Sequence, residues 1–214
     1  FAKGGFNSVD LAVLDPADAD AVIDATIAEY DALGIRFRWT VGPDSRPLDL
    51  GERLERRGLR RHDIAVMAAD LSDIPIHPTP DVTVEPLTLD NLTTYCDTVA
   101  AGWDADPAPL HAYERARLRS GDTRHPAYLA RIAGTPAAAA NAALLPQSAY
   151  LMGAVVLPPF RGRGVYRALI AARLRDVAAA GLRLVTTQAM RTTSAPILAR
   201  LGFITVAETA SYAR

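Results

Sequence analysis

Between residues 155 and 169 the chain reads Val-Val-Leu-Pro-Pro-Phe-Arg-Gly-Arg-Gly-Val-Tyr-Arg-Ala-Leu. The chemistry this order suits is the holding of phosphate. Apolar residues 150–157 predict a buried strand, Pro158 and Pro159 end its hydrogen-bond ladder, and Tyr166, Ile170, Leu174 and Val177 then fall at helical spacing. Gly162 and Gly164 let the backbone come close to a ligand. The N–H groups of the first helical turn lack intrahelical partners and point, with the helix dipole, at an anion. Arg161 and Arg163 add charge inside the turn, and Arg167 follows in the helix. Out of context, a Gly-x-Gly turn fits an ordinary strand-to-helix connection with solvated arginines just as well.

The elements that must position this loop follow from periodicity and breakers. Strand 82–85, helices 89–101 and 107–119, and strands 127–132, 137–144 and 150–157 precede it; Gly134-Thr135-Pro136 turns the chain between the first two of those three strands. Helix 165–180, strand 182–188, helix 195–201 and closing strands from 203 to 214 come after. Upstream, Ile74-Pro75-Ile76-His77-Pro78-Thr79-Pro80 denies the backbone both helix and central strand, so residues 75–81 read as a linker between a piece 1–74 and a domain 82–214.

The first piece repeats the end of the chain in worn form. Helix 17–33, Gly34, strand 35–41, helix-forming residues 46–57, Gly58 and Leu59 parallel helix 165–180, Gly181, strand 182–188, Ser194 to Leu201, Gly202 and Phe203. Where the second copy has its glycine turn, the first has Leu14-Asp15-Pro16-Ala17-Asp18-Ala19-Asp20, whose carboxylates repel a pyrophosphate.

The stretch from Arg161 to Tyr166 resembles the Arg/Gln-x-x-Gly-x-Gly/Ala pyrophosphate loop of the GCN5-related N-acetyltransferases, the GNAT family, and Val156 with Pro158 resembles the strand that leads into it. Ser194-Ala195-Pro196-Ile197-Leu198-Ala199-Arg200-Leu201-Gly202-Phe203 is similar to that family's late helix ending in Leu-Gly-Phe, while Tyr166 stands where the family usually has Gly or Ala. The resemblance implies an α/β fold with a mixed central sheet flanked by helices, here with a partial N-terminal repeat. It implies acetyl-CoA as acyl donor, held by the backbone of Val155, Val156 and Leu157 and by Arg161, Gly162, Arg163, Gly164, Val165, Tyr166 and Arg167. It also implies direct attack of a small-molecule primary amine on the thioester, with no acyl-enzyme.

Acid and base are harder to find. Many relatives carry a tyrosine five residues before the Phe of Leu-Gly-Phe, but here that position is Leu198. Ser194, at the start of that helix, would either bond the donor's pantetheine and sulfur or cap the helix. No acidic residue lies between residues 137 and 157. Trp103, Asp104 and Asp106 fall between two predicted helices, where the resemblance implies the acceptor wall; an aromatic ring beside carboxylates suits a cationic amine, and Asp104 is the candidate base. Asp106 before Pro107 reads equally well as a helix cap. Gln188 is a second candidate for the acceptor side, and His111, Glu114 and His125 are further titratable groups with solvated surface as their default. Met152 and Gly153 border the acyl end without an obvious size gate.

Composition excludes other classes. Among 214 residues, 23 basic and 24 acidic side chains leave a formal net charge of −1, which offers nucleic acid or an anionic membrane little attraction. Cys96 is the single cysteine and the four histidines are scattered, so neither a disulfide nor a structural metal is expected, and a cytoplasmic setting fits. Two rival readings remain: a module that senses acyl-CoA without turnover, and a nucleic-acid binder using Arg161, Arg163, Arg167 and Arg173 as a stripe. An exposed strand edge in the N-terminal half would be a natural homodimer contact.

Overall fold

A computed structural model describes residues 7–75 and 79–214. In chain order the elements are β1 (Ser8–Val9), α1 (Ala19–Ala32), β2 (Arg38–Val41), α2 (Leu50–Arg56), β3 (Arg60–Asp70), β4 (Val82–Pro86), α3 (Leu92–Trp103) and α4 (Pro107–Ser120). They continue as β5 (Ala127–Ile132), β6 (Thr135–Leu144), β7 (Ser148–Val156), α5 (Val165–Ala179), β8 (Leu184–Met190), α6 (Ser194–Ala199) and β9 (Ile204–Ala213). The elements expected around the loop are present with ends moved by a few residues. The eleven-residue β3 was not expected, and a single strand closes the chain where several were expected. Of the proline-rich stretch, residues 76–78 lie outside the described residues.

These elements gather into two compact units, one drawn from residues 7–67, Ala189–Leu198 and Thr205–Arg214, the other from Ala68–Gln188 and Ala199–Ile204. The chain passes between them within β3, within β8, at the end of α6 and at the start of β9.

In the first unit the strands lie in the order β1-β2-β9-β3. β1 pairs parallel with β2 around helix α1, and β9 pairs antiparallel with β2 from Arg38↔Ala213 to Val41↔Ala210. Ile23 and Ile27 of α1, Leu50 and Leu54 of α2 and Trp39 of β2 close a core with Ala210 and Tyr212. Trp39 is buried, and β9, from the far end of the sequence, supplies its paired neighbour Tyr212. Just before α1, Ala17 N–H donates to Asp15 Oδ1 at 2.8 Å, and Asp18 at the cap position makes no side-chain capping bond.

The second unit is a mixed sheet in the order β8-β7-β6-β5-β4, antiparallel except for the β7–β8 pair, with helices on both faces. Ala137, Ala138, Ala139 and Ala140 of β6 are fully buried, and their small side chains bring helices close to the strands. On one face Tyr95, Cys96 and Val99 of α3 pack on Leu129, Ala139 and Val155. On the other Val165, Leu169 and Ala172 of α5 pack on Tyr128, Ala130 and Ala140. At the start of α4, Asp106 Oδ1 accepts from Ala108 N–H at 2.9 Å with Pro107 beside it, so this aspartate is a helix cap. Among the described residues no helix is long and apolar enough to cross a membrane.

Candidate functional site

After β7 a single 3-10 turn, Pro158–Phe160, leads into residues 161–164 and the first turn of α5. Gly162 and Gly164 have φ of 75° and 79°, a left-handed conformation that side chains resist. Gly164 is also the cap position of α5, and a Cβ there would stand 2.9 Å from Thr79 Cγ2. Val165 is buried and anchors the helix, while Arg161, Arg163 and Arg167 are exposed around its start. Arg161 Nε donates to the Val156 carbonyl at 3.2 Å, and the Arg163 guanidinium stands 5.9 Å from the centre of the Phe160 ring. Each tie holds a positive charge beside unpartnered first-turn N–H groups. Arg173, the fourth member of the supposed nucleic-acid stripe, is only 2% exposed, so that stripe does not exist as a surface. The periodic residues Ile170, Leu174 and Val177 turn it inward with them.

The strand before the loop opens like a fork. β7 pairs with β8 from Ser148↔Leu184 to Leu151↔Thr187 and no further, although β7 runs on to Val156. At the fork the buried Thr187 hydroxyl donates to the Leu151 carbonyl at 2.8 Å. On the other edge, pairing with β6 shifts from Ala139↔Val155 to Asn141↔Met152, which leaves Gly153 and Ala154 as a bulge in β7. Gly153 has φ of 61° and packs on the Asn141 side chain. Val155 and Val156 are thus tied to β6 through Ala139 and Ala138, and Leu157 N–H to the Ala137 carbonyl at 2.9 Å. Their opposite edge has left β8.

Register also assigns faces. Asn141 pairs with Ala127 and Met152, and Tyr150 with Ala143 and Thr186. These side chains share the face covered by α3 and α4, and Gln188, two residues past Thr186 and exposed, projects from it too. α3 approaches this face through Gly102: a Cβ there would overlap the Val155 side chain. The next two residues are Trp103, 44% exposed, and Asp104, whose left-handed φ of 49° ends the helix. The structure therefore brings Trp103 and Asp104 within two residues of a contact with the forked strand.

Other candidates fall elsewhere. Ser194 opens α6 in the first unit, and Leu198, in the same helix, is 1% exposed. His111 lines a shallow groove of about 550 Å³ between α3 and α4, with Asp97, Arg115 and Arg119, that holds no loop residue. Glu114 is buried with its carboxylate 2.6 Å from Arg117 Nε. His125 Nδ1 lies 2.6 Å from Asp122, whose carboxyl is lowered to about 2 chiefly by that bond. Burial pushes the Cys96 thiol up to about 12, so it is no nucleophile. Among the described residues no group of side chains is arranged to hold a metal ion. Asn141 and Thr187 were not singled out in the sequence, and Gly153, expected to border the acyl end, was not expected to form a bulge. A glycine inside an apolar strand was the available signal for the bulge.

Comparison with known proteins bears on the fold and the family. No curated protein sequence matches the chain. A structure of a functionally unknown conserved protein from Staphylococcus epidermidis is similar at 11% identity and a TM-score of 0.70, covering 97% of this chain and 83% of that one. A tandem GNAT protein from the clavulanic acid biosynthesis pathway is similar at 17% identity and a TM-score of 0.57, over 91% and 68% of the two chains. AAC(6')-Iy, in complex with the bisubstrate analog CoA-S-monomethyl-acetylneamine, is similar at 22% identity and a TM-score of 0.51, over 56% and 89%. At these identities the likeness is one of fold. The Acetyltransferase (GNAT) family itself matches residues 92–203, more than half of the sequence, a span that runs from α3 through the loop to Phe203, and the chain belongs to that family.

Proposed function

We propose that this protein transfers the acetyl group of acetyl-CoA to a primary amine of a small molecule by direct attack. The observation that carries the reading is the fork: β7 leaves β8 after Leu151, and its free stretch runs on into a loop with two left-handed glycines at a helix start. The pyrophosphate is assigned to the N–H groups of residues 162–167, with Arg161, Arg163 and Arg167 supplying charge. The pantetheine is assigned to the free edge of Val155, Val156 and Leu157, where backbone groups replace the lost partner strand.

The acceptor is assigned to the α3 face, with Trp103 and Gln188 lining it and Asp104 receiving the ammonium proton through water. The amine nitrogen bonds to the carbonyl carbon, the C–S bond breaks, and the electron pair leaves on sulfur. Leu198 has no proton to give, and a thiol of pKa about 8.5 leaves as the thiolate and is protonated by solvent.

A second reading has one observation in its favour. Leu198 is apolar and buried where relatives carry an acid, as expected of a sensor that binds acyl-CoA without turning it over.

Thermal unfolding with and without acetyl-CoA tests the donor. At about 100 times its dissociation constant the donor adds about 2.7 kcal/mol to the wild type and almost nothing to Gly164→Glu. An unshifted wild type removes the assignment. A shift without amine-dependent thiol release across a panel of amines leaves the sensor.

A further inference from the structure

Arg173 sits two turns beyond Tyr166 on α5 and is 2% exposed. Its side chain runs back along the helix: Nε donates to the Leu169 carbonyl at 3.2 Å and Nη1 to the Asn141 carbonyl of β6 at 3.4 Å, while Nη2 makes no hydrogen bond. Asp176, one turn further on, is occupied by the Tyr128 hydroxyl at 2.5 Å. Among the described residues this guanidinium forms no ion pair. Burial lowers its pKa, and the nearby Tyr166 hydroxyl favours its charge.

A buried cation without a carboxylate is costly, and an apolar side chain of similar length would fill the same space more cheaply. What an apolar side chain cannot do is bond a strand carbonyl. The carbonyl chosen belongs to Asn141, whose partner Met152 immediately precedes the bulge of β7. The helix that carries Arg173 begins at the phosphate loop. One side chain therefore ties that helix to the sheet at the level where β7 turns away from β8.

We propose that Arg173 is a positioning residue for the donor: it fixes α5, and with it the phosphate loop, against the bulged strand, so that a molecule with a diphosphate at one end and a thioester at the other meets both ends of its site together. This rests on the reading of the second unit as a CoA site. Tyr166 supports the tie from the first helical turn, at a position where the resemblance leads one to expect Gly or Ala.

Two probes test it by calorimetric titration of the full chain: CoA, and adenosine 3′-phosphate 5′-diphosphate, which carries the diphosphate without the pantetheine. In Arg173→Met, CoA affinity falls about tenfold or more, because misplacing one end of a two-ended site is expensive, while the fragment changes by less than about twofold. The unfolding midpoint does not fall, since the removed charge was unpaired. Arg173→Lys, which can still reach a carbonyl, recovers part of the loss. Parallel losses for both probes, or unchanged CoA affinity, overturn the inference while the donor reading stands. A wild type that binds neither probe overturns both. Should Arg173→Met not fold, Tyr166→Phe is put through the same comparison.

Discussion

The Thr187 hydroxyl donates to the Leu151 carbonyl at 2.8 Å on the last rung that β7 and β8 share. Thr187 is 5% exposed. Thr187→Val keeps the shape and leaves a buried carbonyl short of a partner, so stability falls by about 1–3 kcal/mol. Chemical denaturation reads this directly, and a loss below about 0.5 kcal/mol means that the bond contributes nothing net.

Gly153 illustrates two separable costs. Alanine there meets both a left-handed backbone and the Asn141 carboxamide oxygen. Gly153→Ala is expected to destabilise by about 2 kcal/mol or more, summing strain and overlap. In an Asn141→Ala background the overlap disappears and about 1 kcal/mol of backbone strain remains. A double-mutant cycle with no coupling contradicts the packing described for the bulge.

At Gly102 the sign of the effect depends on the neighbour. Gly102→Ala overpacks Val155 and costs about 1–3 kcal/mol despite the better helix propensity of alanine. With Val155→Gly already made, the overlapping Cβ and both methyl carbons are gone, and the same substitution stabilises by up to about 1 kcal/mol. An unchanged sign in the two backgrounds refutes the close approach of α3 to the forked strand.

Acid sensitivity has a definite source at Asp122. Its carboxyl is lowered from 3.8 to about 2 by the bond to His125, then by the Arg124 backbone N–H. A depressed acid stabilises the folded state above its unfolded pKa, and this contribution is lost as pH falls through the window from 3.8 to about 2. The urea midpoint of Asp122→Asn therefore lies below that of the wild type at pH 5, and the two converge toward pH 2. A constant gap across that range shows that the bond is not what acid breaks.

How much of this was legible in the sequence differs by element. The loop was readable because Pro158 breaks a strand and Gly162 and Gly164 permit a left-handed turn wherever they stand, and α5 because its apolar spacing is long enough to be unambiguous. β3 was not, since Arg60-Arg61-His62-Asp63 shows no alternation and only its second half is buried. Its extension depends on neighbouring strands. Arg173 was read as surface because residue type argued for exposure, and the face it occupies is decided by Ile170 and Leu174 on either side. The fork is a property of two strands together. Neither 148–156 nor 184–190 alone says where their pairing stops.

The place of β9 bears on how the protein comes to exist. In the first unit β9 lies between β2 and β3, yet β2 ends at Val41 and β9 begins at Ile204. On the ribosome, at about 5–20 residues per second, α1 and β2 emerge early and then wait while the whole of the second unit is translated. The unit begun first is closed only after the second unit has been made, so the nascent chain carries an open edge on β2 until β9 emerges.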